Sequence, residues 1–153
     1  MAGQGDAEAQ YALALLYEYG SQTTGRDKQK SLHLLHQSAE QRVAGACLYL
    51  GLKYEHGNGL ALDNEKAICY YLCAAQQNWP MAQFFLADFY AKGKGVEKSV
   101  LNALAWLGLA REYGYPKANA VFLELQKQSG ANDSAALTVM QQELMEHIPK
   151  SCN

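Results

Sequence analysis

The stretch ACLYLGLKYEHG at positions 46–57 is repeated, with substitutions, on both sides of it in the sequence. The related stretches are AQYALALLYEYG at 9–20 and AQFFLADFYAKG at 82–93. Each begins with Ala and continues with Leu four residues later, a small residue at the fifth, Tyr at the eighth and Gly at the eleventh. These spacings place the side chains on one helical face, and Gly suits the left-handed end of a helix. A period of 36 or 37 residues therefore predicts a solenoid of helical repeats.

A second helix follows each of these stretches. Asp27, Asp63 and Ser99 lie 36 residues apart, and all three are residue types that cap helix N-termini. Large apolar pairs then recur on the inward side, namely Leu34-Leu35, Tyr70-Tyr71 and Trp106-Leu107. The glycine-rich segments 57–59 and 93–95 predict turns between the paired helices. Each repeat is thus predicted to be helix–turn–helix.

The fourth unit is incomplete. Ala118 keeps the period, but the Leu and Tyr positions have become Phe122 and Gln126. After a break at 129–133, residues 134–147 predict one amphipathic helix. Its apolar side consists of Leu137, Met140, Leu144 and Ile148. We expect this helix to cap the last open face, as solenoids require.

These residues closely resemble the Sel-one-like repeat, a relative of the tetratricopeptide repeat. Its signature is Ala-x3-Leu-Gly-x2-Tyr-x2-Gly-x-Gly followed by Asp-x2-Lys-Ala-x2-Trp/Tyr-Tyr-x2-Ala-Ala. Residues 46–75 fit it nearly throughout, whereas the first copy has Lys30-Ser31 and the third has Ser99 and Asn102 at signature positions. The resemblance implies an all-α, right-handed α-α superhelix whose first helices line a concave groove. It also implies a role as an adaptor or scaffold in protein complexes.

The expected organisation is a single Sel-one-like repeat domain over 1–153. It comprises three repeats, one half repeat and a capping helix, at about 5–41, 42–77, 78–113, 114–129 and 133–148.

Composition narrows the partners. Thirteen basic and fifteen acidic residues give a net charge of −2, so nucleic acid is not an expected partner. Apolar runs are broken well before the roughly 20 residues of a membrane span. The first ten residues lack the basic start and apolar run of a secretory signal. The compartment stays open between cytoplasm and periplasm.

The four cysteines, Cys47, Cys69, Cys73 and Cys152, form no CxxC pair and no regular framework, so free thiols are expected. In a secreted, cysteine-rich subfamily with this repeat, a Cys ending one repeat is bridged to one eight residues on. Cys47 occupies the second of these places, but Ala39 occupies the first, so that bridge is not expected.

If the first helices line a groove, a set of their side chains becomes the candidate partner-binding surface. Solvent-facing apolar residues in a row favour docking of a peptide or a helix. The set consists of Tyr11, Leu15, Glu18, Tyr19, Leu48, Leu52, Glu55, His56, Met81, Phe84, Asp88, Lys92, Lys117 and Glu124. Packing between adjacent helices explains the equivalent residues Tyr11, Leu48 and Phe84 about as well. Leu15 and Leu52 are better evidence, because the core pattern does not require them.

Neither catalysis nor metal binding is expected from the sequence. The sequence contains no Gly-x-Ser-x-Gly, HExxH or phosphate-binding loop. Cys69, Cys73 and His33 are legitimate metal ligands. However, Cys69 and Cys73 share one predicted helix while His33 lies on another, and neighbouring helices pack about 8–10 Å apart, which is loose for ligands of one ion. No fourth ligand is evident, so no metal and no cofactor is expected. The favoured function is a non-catalytic protein–protein interaction module that binds a peptide or a partner domain. The second alternative is a structural spacer or oligomerisation segment of a larger protein, including a homodimer, and the third is an enzyme or a metal-binding protein.

Overall fold

The computed structural model describes residues 6–149 and Cys152, and in that part the chain forms eight α-helices and no strand. The helices are α1 (Ala7–Tyr19), α2 (Lys28–Glu40), α3 (Ala44–His56), α4 (Asn64–Ala75), α5 (Pro80–Lys92), α6 (Val100–Glu112), α7 (Ala118–Ser129) and α8 (Ser134–Glu146).

Consecutive helices pair and then stack. The hairpins α1–α2, α3–α4 and α5–α6 make the most extensive contacts, and each second helix also packs on the first helix of the following repeat. Such nearest-neighbour stacking defines a solenoid. The predicted all-α solenoid of helix–turn–helix repeats is confirmed.

The helix ends follow the sequence signals. Asp27, Asp63 and Ser99 each accept a hydrogen bond from the backbone amide three residues later, at 3.0, 3.0 and 3.2 Å. These bonds satisfy amides that have no partner within the helix. Gly57 and Gly93 end α3 and α5 in the left-handed conformation, with φ of 65° and 70°.

Small residues lie where the helices come closest. Ala46 and Ala82 are fully buried. A Cβ atom at Gly51 would lie 2.5 Å from the ring of Tyr71, so the second helix packs directly on the backbone of the first. The small residue beside the repeat Leu thus allows α4 to approach α3 closely at this position.

The C-terminal helix packs mainly against α6. The Gln141 side chain donates to the carbonyl oxygen of Ala105 at 3.2 Å. Gln76, at the end of α4, donates to the carbonyl oxygens of Leu144 and His147 at 3.2 and 2.9 Å. Leu137 and Leu144 are buried as expected, but Ile148 lies beyond the helix and is 44% exposed.

The prediction of free thiols is wrong, because all four cysteines are in disulfide bonds. Cys47 of α3 is bonded to Cys73 of α4, and Cys69 of α4 is bonded to Cys152. The first pair is brought together by the α3–α4 hairpin. The second has a sequence separation of 83 residues and joins α4 to Cys152, which lies beyond the end of α8 in the sequence. Sequence spacing carries no sign of either pairing, and Ala39 offers only its carbonyl oxygen, 3.9 Å from the Cys47 sulfur.

Enlarging a buried alanine tests the packing. We expect Ala82→Leu to lower the free energy of unfolding by about 1–3 kcal/mol, because a fully buried site has no room for three more carbon atoms. Urea unfolding followed by circular dichroism measures the change. Ala12→Leu, at an exposed position of α1, is the matched control and should change stability by less than about 0.5 kcal/mol. Equal losses in both variants would show that the helix contacts are misassigned.

Candidate functional site

The candidate surface is formed by α1, α3, α5 and α7, the first helices of the successive repeats; we call it the first-helix face. Two clefts open on it, one between α1 and α3 and the other between α5 and α7. The repeat places them at equivalent positions. Tyr49, Leu52, Lys53 and His56 of the α1/α3 cleft lie 72 residues, or two periods, before Val121, Glu124, Leu125 and Gln128 of the α5/α7 cleft.

The α5/α7 cleft is mostly apolar. It has a volume of about 370 Å³, and Leu107 of α6 contributes to its lining. Val121 is 42% exposed there, and Phe84 lies against the ring of Tyr115 with 4.8 Å between centroids. The complete lining is Phe84, Ala87, Asp88, Ala91, Leu107, Ala120, Val121, Glu124, Leu125 and Gln128. The cleft therefore combines an apolar floor with a few polar groups.

The α1/α3 cleft is smaller and more polar, with a volume of about 290 Å³. The rings of Tyr19 and Tyr49 meet edge to face with 6.5 Å between centroids, and Tyr19 is 64% exposed. The complete lining is Glu18, Tyr19, Tyr49, Leu52, Lys53, His56 and Asn58. Phenol and imidazole groups give this cleft stacking surfaces and hydrogen-bonding groups together.

The equivalent place between α3 and α5 is filled. Glu55 accepts a hydrogen bond from the Tyr71 hydroxyl at 2.5 Å and an ion pair from Lys94 at 2.9 Å. The Lys94 ammonium also lies 4.5 Å from the centroid of the Phe89 ring and 4.0 Å from Asp88. Side chains of repeats two and three thus close the space that stays open on either side.

These contacts set the ionisation of Glu55. Burial opposes the charged form, but the Tyr71 hydroxyl and Lys94 outweigh it and lower the pKa of the Glu55 carboxyl. In turn, burial and the hydrogen bond to Glu55 raise the pKa of Tyr71. Glu55 is therefore held as a carboxylate inside the protein.

A second ion pair joins repeats one and two. Lys53 and Glu18 are 2.9 Å apart, with side chains 4% and 10% exposed. Burial raises the pKa of Glu18, but Lys53 more than compensates, and the net pKa is lowered. Since Glu18 is enclosed with its own counter-ion, its prediction as a partner-binding residue needs correction: it ties α1 to α3.

The other predicted residues divide by exposure. Leu48 is 8% exposed, so its prediction as a groove residue is also corrected; it is part of the core. Tyr11 is half-buried against Gly45 of α3, where a Cβ would lie 2.6 Å from the ring. Packing between adjacent helices therefore accounts for Tyr11 and Leu48.

Several predicted residues remain accessible. Leu52, Phe84, Asp88 and Glu124 line the clefts together with Tyr19 and His56. Asp88 and Lys92 form an ion pair one helical turn apart, at 2.6 Å. Leu15 and Glu55 are half-buried, whereas Met81, Lys92 and Lys117 are exposed but do not line either cleft.

Sequence reasoning missed most of the α7 side of the larger cleft. Val121, Leu125 and Gln128 were absent from the predicted set, as was Tyr49 in the smaller cleft. The signal that could have found them is the two-period equivalence of Tyr49 with Val121. Among the described residues, no group of three or more His, Cys, Asp or Glu side chains is arranged to hold a metal ion.

This stacked architecture defines the chain as a helical-repeat solenoid. The Sel1 repeat matches it three times, at residues 7–43, 44–79 and 80–115, each beginning two residues after the predicted boundary. The chain belongs to the Sel1 repeat family. Members of this family are in general protein–protein interaction modules.

Two similar proteins are regulators by name. The chain is 30% identical over 165 residues to an exopolysaccharide production negative regulator of Rhizobium leguminosarum bv. viciae, covering 99% of this chain and 61% of the regulator. It is 36% identical over 96 residues to the chitin synthase regulator SKT5 of Saccharomyces cerevisiae, covering 61% of this chain and 14% of that protein. The chain thus spans less than two thirds of the length of either regulator.

Solved structures share the fold. The crystal structure of a Sel1 repeat protein from Oxalobacter formigenes matches with a TM-score of 0.75 and 30% identity, over 78% of this chain and 90% of that one. Cysteine rich protein B of Helicobacter pylori matches with a TM-score of 0.62 and 24% identity, over 77% and 96% of the two chains. In the described part of this chain, every helix is too short or too polar to cross a membrane.

The buried ion pair gives a test of the contact between repeats one and two. We expect Lys53→Met to lower the free energy of unfolding by about 3 kcal/mol at neutral pH, because Glu18 is left buried without its counter-ion. Urea unfolding measures the loss. Lys92→Met, which removes an ammonium that is 62% exposed, should cost less than about 1 kcal/mol.

The same pair has a defined pH dependence. The pKa of Glu18 is lower in the folded chain than its ordinary value of 4.5, so the stabilisation is complete above that pH and disappears as the pH falls through the folded pKa. The difference in the free energy of unfolding between the wild type and Lys53→Met should decrease over that pH range. If this difference in the free energy of unfolding stays constant down to low pH, Lys53 and Glu18 do not form the ion pair.

Proposed function

We propose that this chain is a non-catalytic adaptor that binds a segment of another protein on its first-helix face. The observation that carries the proposal is the open α5/α7 cleft, with its apolar floor and the exposed Val121. Apolar side chains left accessible in a concave site, beside a few polar groups, are typical of binding sites. Helical-repeat proteins use such surfaces to take up helices or extended segments.

The comparisons support a regulatory or adaptor role without chemistry. The chain belongs to a family of interaction modules, and the relatives named above are called regulators. The side chains that line the two clefts suit recognition. They include carboxylates, amides, aromatic rings, an imidazole and the Lys53 ammonium paired with Glu18, which bind by charge, hydrogen bonding and stacking.

The adaptor proposal predicts a cleft-specific loss of binding. Val121→Asp introduces an unpaired carboxylate into the α5/α7 cleft and should weaken partner capture at least about tenfold. Val139→Asp is the matched control, because Val139 is 57% exposed on α8, and it should capture normally. Affinity capture from the source cell is compared for the three chains, after circular dichroism shows that they are equally folded. Equal capture by all three would exclude this cleft as the working surface.

A spacer or oligomerisation segment is the second candidate, and the N-terminal end of the solenoid favours it. Leu13 is half-buried and Leu16 is 45% exposed on α1, whereas Leu50 and Leu86, the equivalents of Leu13, are fully buried. The second helix of the preceding repeat packs on α3 and α5, but α1 has no such neighbour among the described residues. A wild-type dimer that becomes monomeric in Leu16→Lys, with no partner captured by either, would favour this candidate.

The disulfide bonds support an oxidising compartment for this activity. Disulfides persist outside the reducing cytosol and are rare within it. Cys47–Cys73 and Cys69–Cys152 together engage every cysteine of the chain. The partner is therefore best sought in an oxidising compartment.

A further inference from the structure

The two clefts differ in chemistry although the repeat makes them equivalent. Position 124 of the α5/α7 cleft is a carboxylate, while its equivalent in the α1/α3 cleft is Leu52. Conversely, Val121 replaces the aromatic ring of Tyr49. The two clefts therefore present different surfaces to a ligand.

Glu124 is the charged group that the α5/α7 cleft leaves available. It is exposed and accepts a hydrogen bond from Gln128 at 2.6 Å. Within residues 6–149, no lysine, arginine or histidine lies within ion-pair distance of it. By contrast, Asp88 on the opposite wall is held by Lys92 at 2.6 Å and lies 4.0 Å from Lys94. A cation beside an apolar side chain would complement this cleft.

The α1/α3 cleft has no such charge to offer. Its carboxylate, Glu18, is already paired with Lys53 at 2.9 Å. What remains accessible is the ring of Tyr19, which is 64% exposed, and the exposed side chain of His56. These groups suit a side chain that stacks or accepts a hydrogen bond.

The α1/α3 and α5/α7 clefts are separated by the closed place between α3 and α5. The closely packed helix pairs of the repeats join first helices to second helices, so successive first helices lie farther apart than the about 8–10 Å of packed helices, and two periods separate the clefts by more than roughly 16–20 Å. A partner therefore needs more than about 5–6 residues of extended chain, or more than about 11–13 residues of helix, to cover that distance. One segment of this length can reach both clefts by passing over Glu55 and Lys94.

We propose that the partner is a single protein segment that bridges the two clefts and places a large apolar residue, next to a Lys or Arg, in the α5/α7 cleft beside Glu124. This proposal rests on the adaptor function and adds the chemistry of the ligand. Attraction between the partner's cation and Glu124 fixes the direction in which the segment lies, because the α1/α3 cleft lacks an available carboxylate.

A library of random 20-residue peptides displayed on phage is the probe, selected on the full oxidised chain. Peptides enriched on the wild type should share a large apolar residue adjacent to Lys or Arg. On Glu124→Lys, the adjacent residue should change to Asp or Glu, and peptides selected on the wild type should bind about tenfold more weakly. Glu146→Lys, which changes an exposed carboxylate at the end of α8, is the matched control and should bind them normally.

Bridging is tested with Tyr19→Ala and with shortened peptides. Tyr19→Ala should weaken a full-length selected peptide, but not a truncated one that keeps only the apolar and basic pair. Tyr113→Ala removes a similarly exposed ring at the end of α6 and should affect neither peptide. If Tyr19→Ala leaves the full-length peptide unaffected, bridging is excluded.

The failures of the two proposals are distinguishable. If Val121→Asp abolishes peptide binding but Glu124→Lys changes neither the selected motif nor the affinity, the adaptor function stands and the basic-apolar ligand is wrong. If the peptides bind Val121→Asp as well as the wild type, or if the wild type enriches no peptide over Val121→Asp, both proposals are contradicted.

Discussion

The paired helices approach each other closely at small residues, and this contact determines how the repeats stack. At Gly51 the Tyr71 ring lies on the helix backbone, and fully buried Ala46 and Ala82 mark the same face in repeats two and three. Because each contact admits only small side chains, the spacing of the helices is fixed. The large rings are then directed into the gaps between repeats, where Tyr71 lies near both Phe85 and Phe89.

Polar contacts between repeats divide the first-helix face. Lys53 and Glu18 join repeats one and two below the surface, which leaves the α1/α3 cleft open above them. Glu55 and Lys94 join repeats two and three nearer the surface and close the corresponding place. Both ion pairs join neighbouring repeats, but they leave different surfaces. The accessible clefts therefore lie at the two ends of the first-helix face.

The periodic features of the fold were predictable because they are local. The N-terminal caps at Asp27, Asp63 and Ser99, the left-handed glycines and the buried alanines each depend on a few neighbouring residues. The disulfide between Cys69 and Cys152 depends on where the segment after α8 lies, and no local pattern encodes that. Likewise, the repeat pattern cannot show that Glu18 is enclosed by Lys53. The α5 side of the α5/α7 cleft was largely predicted, but most of the α7 side was not. The sequence of α7 departs from the repeat pattern, so its equivalence to α3 was not recognised.

Nuclear magnetic resonance can show whether a bound protein segment lies on the first-helix face. At 16.9 kDa the chain is small enough for amide shifts to be followed residue by residue during titration with a bound segment. If the segment binds on this face, we expect amide shifts concentrated at Phe84, Asp88, Val121 and Glu124, with further shifts at Tyr19 and Tyr49. Shifts confined to α4, α6 and α8 would contradict it and place the working surface on the second helices.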